Sequence, residues 1–159
     1  FQPLVFRLAF RLLCDEDEAK DMVQETFVKV WLALGKYNGE CRFSTWIYKI
    51  TCNTCYDRLR SLYHSPLDNE ADYSVSVNIS SDDNVELAVV NKQLRELILR
   101  YTDELSPRQR LIFTLRDIEE LDVPEVQTIT GLSAGIIKTT LYLARKNIRN
   151  KMNQIDAGL

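Results

Sequence analysis

Apolar residues recur along this chain at spacings of three and four, the signature of amphipathic helices. The first apolar stretch, residues 1–13, is interrupted only by Gln2, Pro3, Arg7 and Arg11; the two arginines, four apart, predict a buried helix with one wet stripe. Asp15 and Glu18 have the spacing of a capping box and launch a helix that should run to about Leu34. Its inward face is expected to carry Ala19, Val23, Phe27, Val30 and Leu34. Lys20, Asp21, Gln24, Val28 and Leu32 fall outward, with Glu25 and Lys29 at the margins. A glycine-bracketed loop over 35–42 leads to a helix over 43–60, with Ser44 as its N-cap. Ile47, Ile50, Thr51 and Thr54 should face a core. Lys49, Asn53, Tyr56 and Arg60 lie opposite, with Trp46 at one edge and Tyr63 at the other.

Periodicity weakens over residues 65–84, which are rich in Ser, Asp and Asn and hold no Lys or Arg, so this stretch is expected to be a linker. Fully extended, it could span on the order of 70 Å. Helical spacing resumes with Val90, Leu94, Leu97, Ile98, Tyr101 and Leu105. Ser106, Pro107 and Gln109 then supply an N-cap, a first-turn proline and the third member of a capping box, ahead of a helix that buries Leu111, Leu115 and Ile118. Asp122, Pro124 and Glu125 repeat the device for a short helix ending at Thr130. Gly131 permits a left-handed turn, and Ser133 caps the last helix, expected over 134–151. Ile137, Leu141, Ala144 and Ile148 form its buried stripe. Gly135, Lys138, Thr139, Tyr142, Lys146 and Arg149 face the other way, with Arg145 at the edge. Helix, glycine turn, helix is a helix-turn-helix. The fold class is all-α: two small helical domains, 1–64 and 85–159, joined by a flexible acidic linker.

Composition agrees: 45% hydrophobic residues suffice for ordinary cores, and five glycines with four prolines argue against an all-β protein built on many turns. No apolar run approaches the length of a membrane span. The net charge of −3 would disfavour a polyanion partner if it were evenly spread. It is not: the balance is −2 over 1–40, +3 over 41–64, −5 over 65–84, −3 over 85–132 and +4 over 133–159. Two basic islands therefore coincide with the helices over 43–60 and 134–151.

Cations beside flat rings suit nucleic acid, because lysine and arginine attract phosphates while rings stack on unpaired bases. The stripe of Lys49, Asn53, Tyr56 and Arg60 with Trp46 has that composition, although a solvated helix face would share it. Cys52 and Cys55 form C-x-x-C without a second pair, so a zinc site would have to recruit Cys41 and the single histidine, His64. Reduced thiols, some buried as small apolar groups, are the reading preferred; no metal, cofactor or small-molecule substrate is expected. No phosphate-binding glycine loop, metalloprotease signature or catalytic set is present, so the chain is not expected to be an enzyme. Two alternatives stay open on residues alone: a helix-turn-helix regulator of duplex DNA, and a thiol or zinc redox sensor.

The string FSTWIYKITCNTCYDRLR resembles the second conserved region of bacterial sigma factors, in the extracytoplasmic-function (ECF) group of the sigma-70 family. Thr45, Trp46, Tyr48, Ile50, Asn53, Asp57, Leu59 and Arg60 carry the match. Residues 19–31 resemble the preceding helix of that region and 105–149 its fourth region, in the family's order. The resemblance implies a cytoplasmic specificity subunit of core RNA polymerase, held in some cases at the inner membrane by an anti-sigma factor. Asp21, Gln24, Glu25, Val28, Lys29 and Leu32 would bind the clamp helices of the largest subunit. Asn38, Arg42, Trp46, Lys49, Asn53, Tyr56 and Arg60 would recognise and melt the minus-10 element, the loop around Asn38 closing over a flipped base. Ser133, Gly135, Lys138, Thr139, Tyr142, Arg145, Lys146 and Arg149 would read minus 35, with the polymerase flap as a further contact. The family's first helix begins earlier, so N-terminal residues are expected to be missing. Thr140 and Leu143 stand where the family commonly has arginine, Ile136 replaces a threonine, and Cys52 replaces a basic residue. The apolar flank of Ile136 and Leu143 is expected to dock a partner such as an anti-sigma factor.

Overall fold

The computed structural model describes residues 1–63, 96–97, 99–102 and 104–158, all of them in helices or the connections between helices. The acidic stretch 65–84 and the positions Val90, Leu94 and Ile98 lie outside these residues. The order is α1 (Gln2–Leu13), α2 (Glu16–Ala33), a 3₁₀ turn (Leu34–Lys36), α3 (Phe43–Leu62), α4 (Pro107–Phe113), a π turn (Thr114–Ile118), α5 (Val123–Thr130) and α6 (Ala134–Ala157). Residues 96–97 and 99–102 are also helical.

Capping chemistry sets most boundaries. At α4 the Ser106 hydroxyl accepts from the Gln109 amide while the Gln109 side chain accepts from the Ser106 amide, and Asp122 and Glu125 do the same at α5. Gly131 ends α5 at φ +73°, a left-handed conformation that glycine enters without a Cβ penalty. Ser133 then caps α6 by accepting from the Ile136 amide. The box expected at α2 is only half formed. Asp15 accepts from the Glu18 amide at 3.0 Å, but the Glu18 carboxylate is held by Arg58 of α3 through two hydrogen bonds of 2.6 Å. An ion pair between helices competes successfully here with the local cap. Ser44 is not the cap of α3 either: the helix begins at Phe43, Arg42 occupies the cap position, and no side chain satisfies the first amides.

α1, α2 and α3 pack on one another around Val5, Val23, Val30 and Ile47, with Thr51 and Thr54 also buried. The Thr51 and Thr54 hydroxyls each donate back to the carbonyl four residues earlier, which satisfies them inside the helix. Leu34 departs from the expected inward face and is 45% exposed, because the 3₁₀ turn rotates it off the α2 stripe. Met22 and Thr26 are buried in addition. Leu97 is likewise exposed, whereas Leu105 is buried as its spacing suggested.

A larger apolar cluster joins the two halves of the chain. It contains Leu8 and Leu12 of α1, Tyr48, Cys52 and Leu59 of α3, Ile112 of α4, Val126 of α5 and Ile137 of α6. α3 contacts both α4 and α5, and α6 packs behind them. The helices that carry the two basic islands are thus held in one continuous core.

Candidate nucleic-acid interface

The α6 surface follows from its cap and its stripe. Ile137, Leu141 and Ala144 are buried and Ile148 is half-buried, which turns Gly135, Lys138, Thr139, Tyr142, Lys146 and Arg149 to solvent. The Ser133 hydroxyl is occupied by the cap at 3.3 Å and so serves the helix first. Lys138, Tyr142, Lys146 and Arg149 rim a groove of about 630 Å³ over an apolar floor of Ile137 and Leu141. Arg116, from the π turn, lines the same groove; the helix-turn-helix pattern gave no hint of it, since position 116 counted as interior to one continuous helix. Arg145 is not an uncommitted cation: Asp117 accepts two hydrogen bonds from it, at 2.8 and 2.6 Å. That pairing holds the guanidinium's pKa above its ordinary value and fixes the side chain along the groove edge.

The α3 surface is partly as expected. Lys49, Asn53 and Arg60 are exposed along one side. The rings are less available. Trp46 is half-buried in an aromatic cluster, 5.5 Å from Phe43 and 5.2 Å from Tyr37 between ring centroids. Tyr56 packs one side against the large core, and Arg60 lies over its ring at 5.8 Å. Neither ring is an open platform in this conformation, because burial of aromatic area outweighs leaving it in water. In the preceding loop Asn38 and Arg42 are exposed, and the Asn38 side chain accepts from the Glu40 amide at 3.2 Å. Tyr37 donates to the Cys41 carbonyl at 2.6 Å, which ties the loop closed beneath Trp46.

On α2, Asp21, Gln24, Glu25, Val28 and Leu32 are exposed and lie on one side. Lys29 is engaged by Glu25 at 2.6 Å and by the Thr54 hydroxyl at 3.2 Å. Trp31 enlarges this surface: it is 77% exposed beside Leu32 at 75%. Periodicity had not singled it out, and its signal was an indole placed off the inward stripe. Two large apolar side chains so exposed on a charged helix form a surface suited to a protein partner.

None of the four cysteines is in a disulfide; Cys14, Cys52 and Cys55 are buried and Cys41 is half-exposed. Burial pushes the Cys55 thiol up to about 12 from its ordinary 9.0, and it pushes Cys52 up as well, with Cys55 and Glu119 adding to the effect. Between those limits the unfolded chain loses its thiol protons before the folded chain does. Stability should therefore fall as pH rises from about 9 to 12, the unfolded state binding fewer protons there. Iodoacetamide at pH 8 is expected to label Cys41 rapidly and Cys52 and Cys55 only as fast as the core opens, which mass spectrometry of timed samples would check. Equal rates at all three would contradict the burial. Among the described residues no group of three or more His, Cys, Asp or Glu could hold a metal ion, and His64 lies outside them.

Comparison with known proteins agrees with this arrangement. The family model for sigma-70 region 2 matches residues 1–64, and that for sigma-70 region 4 matches residues 95–148. The chain is 28% identical over 144 residues to the ECF RNA polymerase sigma-E factor of Escherichia coli K12, covering 87% of this chain and 75% of that protein. It is 23% identical over 168 residues to the ECF RNA polymerase sigma factor SigW of Bacillus subtilis strain 168, covering 98% and 86%. Similar folds occur in the sigma factor RpoE bound to the anti-sigma factor NepR from Bartonella quintana and in CnrH bound to the cytosolic domain of CnrY. Their TM-scores are 0.64 and 0.66 at 22% and 18% identity; each alignment covers 96% of this chain, with 91% and 82% of the respective solved chain. Two regions of one family, matched in order and together spanning most of the sequence, place the chain in the sigma-70 family of RNA polymerase sigma factors, in its extracytoplasmic-function branch.

Proposed function

We propose that this chain joins bacterial core RNA polymerase as a non-catalytic subunit and directs initiation at its own class of promoters. Residues 1–64 act as the polymerase-binding and minus-10 unit and residues 85–159 as the minus-35 unit. Supporting the second assignment is one observation above the others: a helix capped at Ser133, entered through a left-handed Gly131, presents Lys138, Thr139, Tyr142, Lys146 and Arg149 on a single exposed side. The N-terminal turns of such a helix fit the major groove, where Gly135, Lys138 and Thr139 meet base edges. Lys146, Arg149 and the edge cation Arg145 follow on later turns and hold phosphates.

In the first unit, Lys49, Asn53 and Arg60 contact the minus-10 strand from α3, with Asn38 and Arg42 beside them on the loop. Trp46 and Tyr56 stack on bases only after their packing loosens. The α2 surface of Asp21, Gln24, Glu25, Val28, Lys29 and Leu32 binds the polymerase clamp, and Trp31 extends it. An anti-sigma factor docks on the α6 flank, where Ile136 and Leu143 are 43% and 42% exposed. The chain works in the cytoplasm alongside the polymerase; among the described residues no helix is long and apolar enough to cross a membrane.

Transcription by purified core polymerase on a randomised promoter library tests this reading. The chain should enrich templates with two conserved blocks. Exchanging Lys138 and Arg149 for glutamate should erase selection at the upstream block. It should also flatten the log–log salt dependence of duplex binding, by about 0.9 in slope for each phosphate no longer neutralised. If the chain selects no templates with a matched-host polymerase yet binds duplex tightly alone, it is a plain helix-turn-helix regulator.

A further inference from the structure

The π turn and α6 meet along one edge of the groove that Lys138, Tyr142, Lys146 and Arg149 rim. Two consecutive side chains of that turn serve the groove differently. Arg116 lines it, with its guanidinium donating to the Leu121 carbonyl, whereas Asp117 accepts from Arg145 of α6 at 2.8 and 2.6 Å. Among the described residues, Arg145 is the one cation of this groove with a carboxylate partner. The pair is ordered from inside to outside: the Asp117 side chain is 21% exposed and that of Arg145 is 53% exposed. The donors are Nε and one Nη, so the carboxylate takes two of the guanidinium's five N–H groups. The others remain outward, among them the parallel pair at the end of the fork that matches two phosphate oxygens.

We propose that Asp117 is a positioning residue for promoter recognition, an acid that locks Arg145 as a preset phosphate fork and so fixes the register of α6 on the minus-35 element. This inference rests on the function proposed above. Lys138, Lys146 and Arg149 order their side chains only when DNA arrives, and each then loses rotamer freedom. Arg145 has given up that freedom beforehand. A mobile cation can follow the backbone as a helix slides along a groove, but a fixed fork accepts a phosphate at one place and in one orientation. Phosphate contacts carry no sequence information themselves; they set where the reading side chains fall. With Arg145 seated, Gly135, Lys138 and Thr139 on the first two turns of α6 meet one set of base edges.

The sign of the effect separates positioning from charge. A carboxylate beside a polyanion site is repulsive, so on charge alone its removal should tighten binding to every duplex. If it aims Arg145, its removal weakens the matching sequence and spares the others. Asp117 then confers selectivity at some cost in general affinity. Folding stability is a poor alternative role, because ion pairs this exposed contribute little to it.

Competition binding with holoenzyme, assembled from core polymerase and the full chain, reads the role. The two templates differ only upstream: one carries the block enriched from the randomised library, and the other has the same bases scrambled. Asp117→Asn should cut the preference for the enriched block by about tenfold, the size of one hydrogen bond to a charged group, while binding to the scrambled template stays level or tightens. Arg145→Ala should cut it as much, and adding Asp117→Asn to that variant should cause no further loss. A proton–nitrogen correlation spectrum of the arginine Nε groups in the free chain supplies a second readout. The Arg145 Nε–H should exchange slowly with water in the parent and rapidly in Asp117→Asn. Full preference in Asp117→Asn would overturn the positioning role. Equal loss on both templates would also overturn it, since a distorted fold weakens every template alike. So would a parent Nε–H that exchanges as fast as the variant's. A parent with no preference between the templates would count against the proposed function instead, and the arginine spectrum would still judge whether Asp117 holds the guanidinium.

Discussion

Replacing Trp31 and Leu32 together by glutamate is expected to abolish transcription with core polymerase while leaving the melting temperature nearly unchanged. The two effects separate because of exposure. Trp31 and Leu32 are 77% and 75% exposed, so neither contributes much to the core, and surface substitutions of this kind usually stay within about 0.5 kcal/mol. At a protein interface the same side chains would be buried anchors. Truncating an aromatic anchor commonly costs about 2 kcal/mol or more, and adding a desolvated carboxylate costs further. Two such sites lower affinity by about a thousandfold or more. Co-purification with core polymerase followed by single-round transcription measures the loss. Gln24→Ala with Lys29→Glu should have a smaller effect, because Lys29 already spends its charge on Glu25 and the Thr54 hydroxyl. Full activity in the tryptophan and leucine variant would remove α2 from the polymerase-binding surface.

What the sequence disclosed and what it hid divide along the range of the interactions. The caps at Ser106, Asp122 and Ser133, the left-handed Gly131 and the buried stripe of Ile137, Leu141 and Ala144 are set by residues a few positions apart, and local spacing revealed each. The exposed side of α6 follows from that stripe. Glu18 had a local partner on paper and chose Arg58, forty residues on. Tyr48 matched a family pattern but had no assigned work. Its hydroxyl pairs with Glu119, seventy-one residues away, and burial with that hydrogen bond pushes the phenol's pKa up. Arg7 and Arg11 were expected to face water along a wet stripe, and Arg11 instead turns to the same carboxylate. Such pairings leave no period in the sequence. They become visible only when the halves of the chain are brought together.

The shared core makes a second strong prediction: Leu115→Ala should destabilise the whole chain in one transition. Leu115 is fully buried at the start of the π turn, in the cluster that also holds Leu8 and Leu12 of α1 and Cys52 of α3. Deleting a buried leucine side chain to alanine costs about 2–5 kcal/mol, the higher values where the surroundings cannot collapse into the cavity. For a chain of this size each kcal/mol shifts the midpoint by about 2–4 °C, so a drop of roughly 5–15 °C is expected. Leu97→Ala is the control: the residue is 51% exposed, and the midpoint should barely move. Calorimetry distinguishes the alternatives. A core continuous between α1, α3 and the second half predicts that residues on both sides lose protection together. If Leu115→Ala instead lowers one of two separate transitions and leaves hydrogen exchange in α1 and α2 untouched, the apolar cluster couples the two halves only weakly in solution. The contacts of Glu119 with Arg11 and Tyr48 would then belong to a loose junction between two independently folding halves.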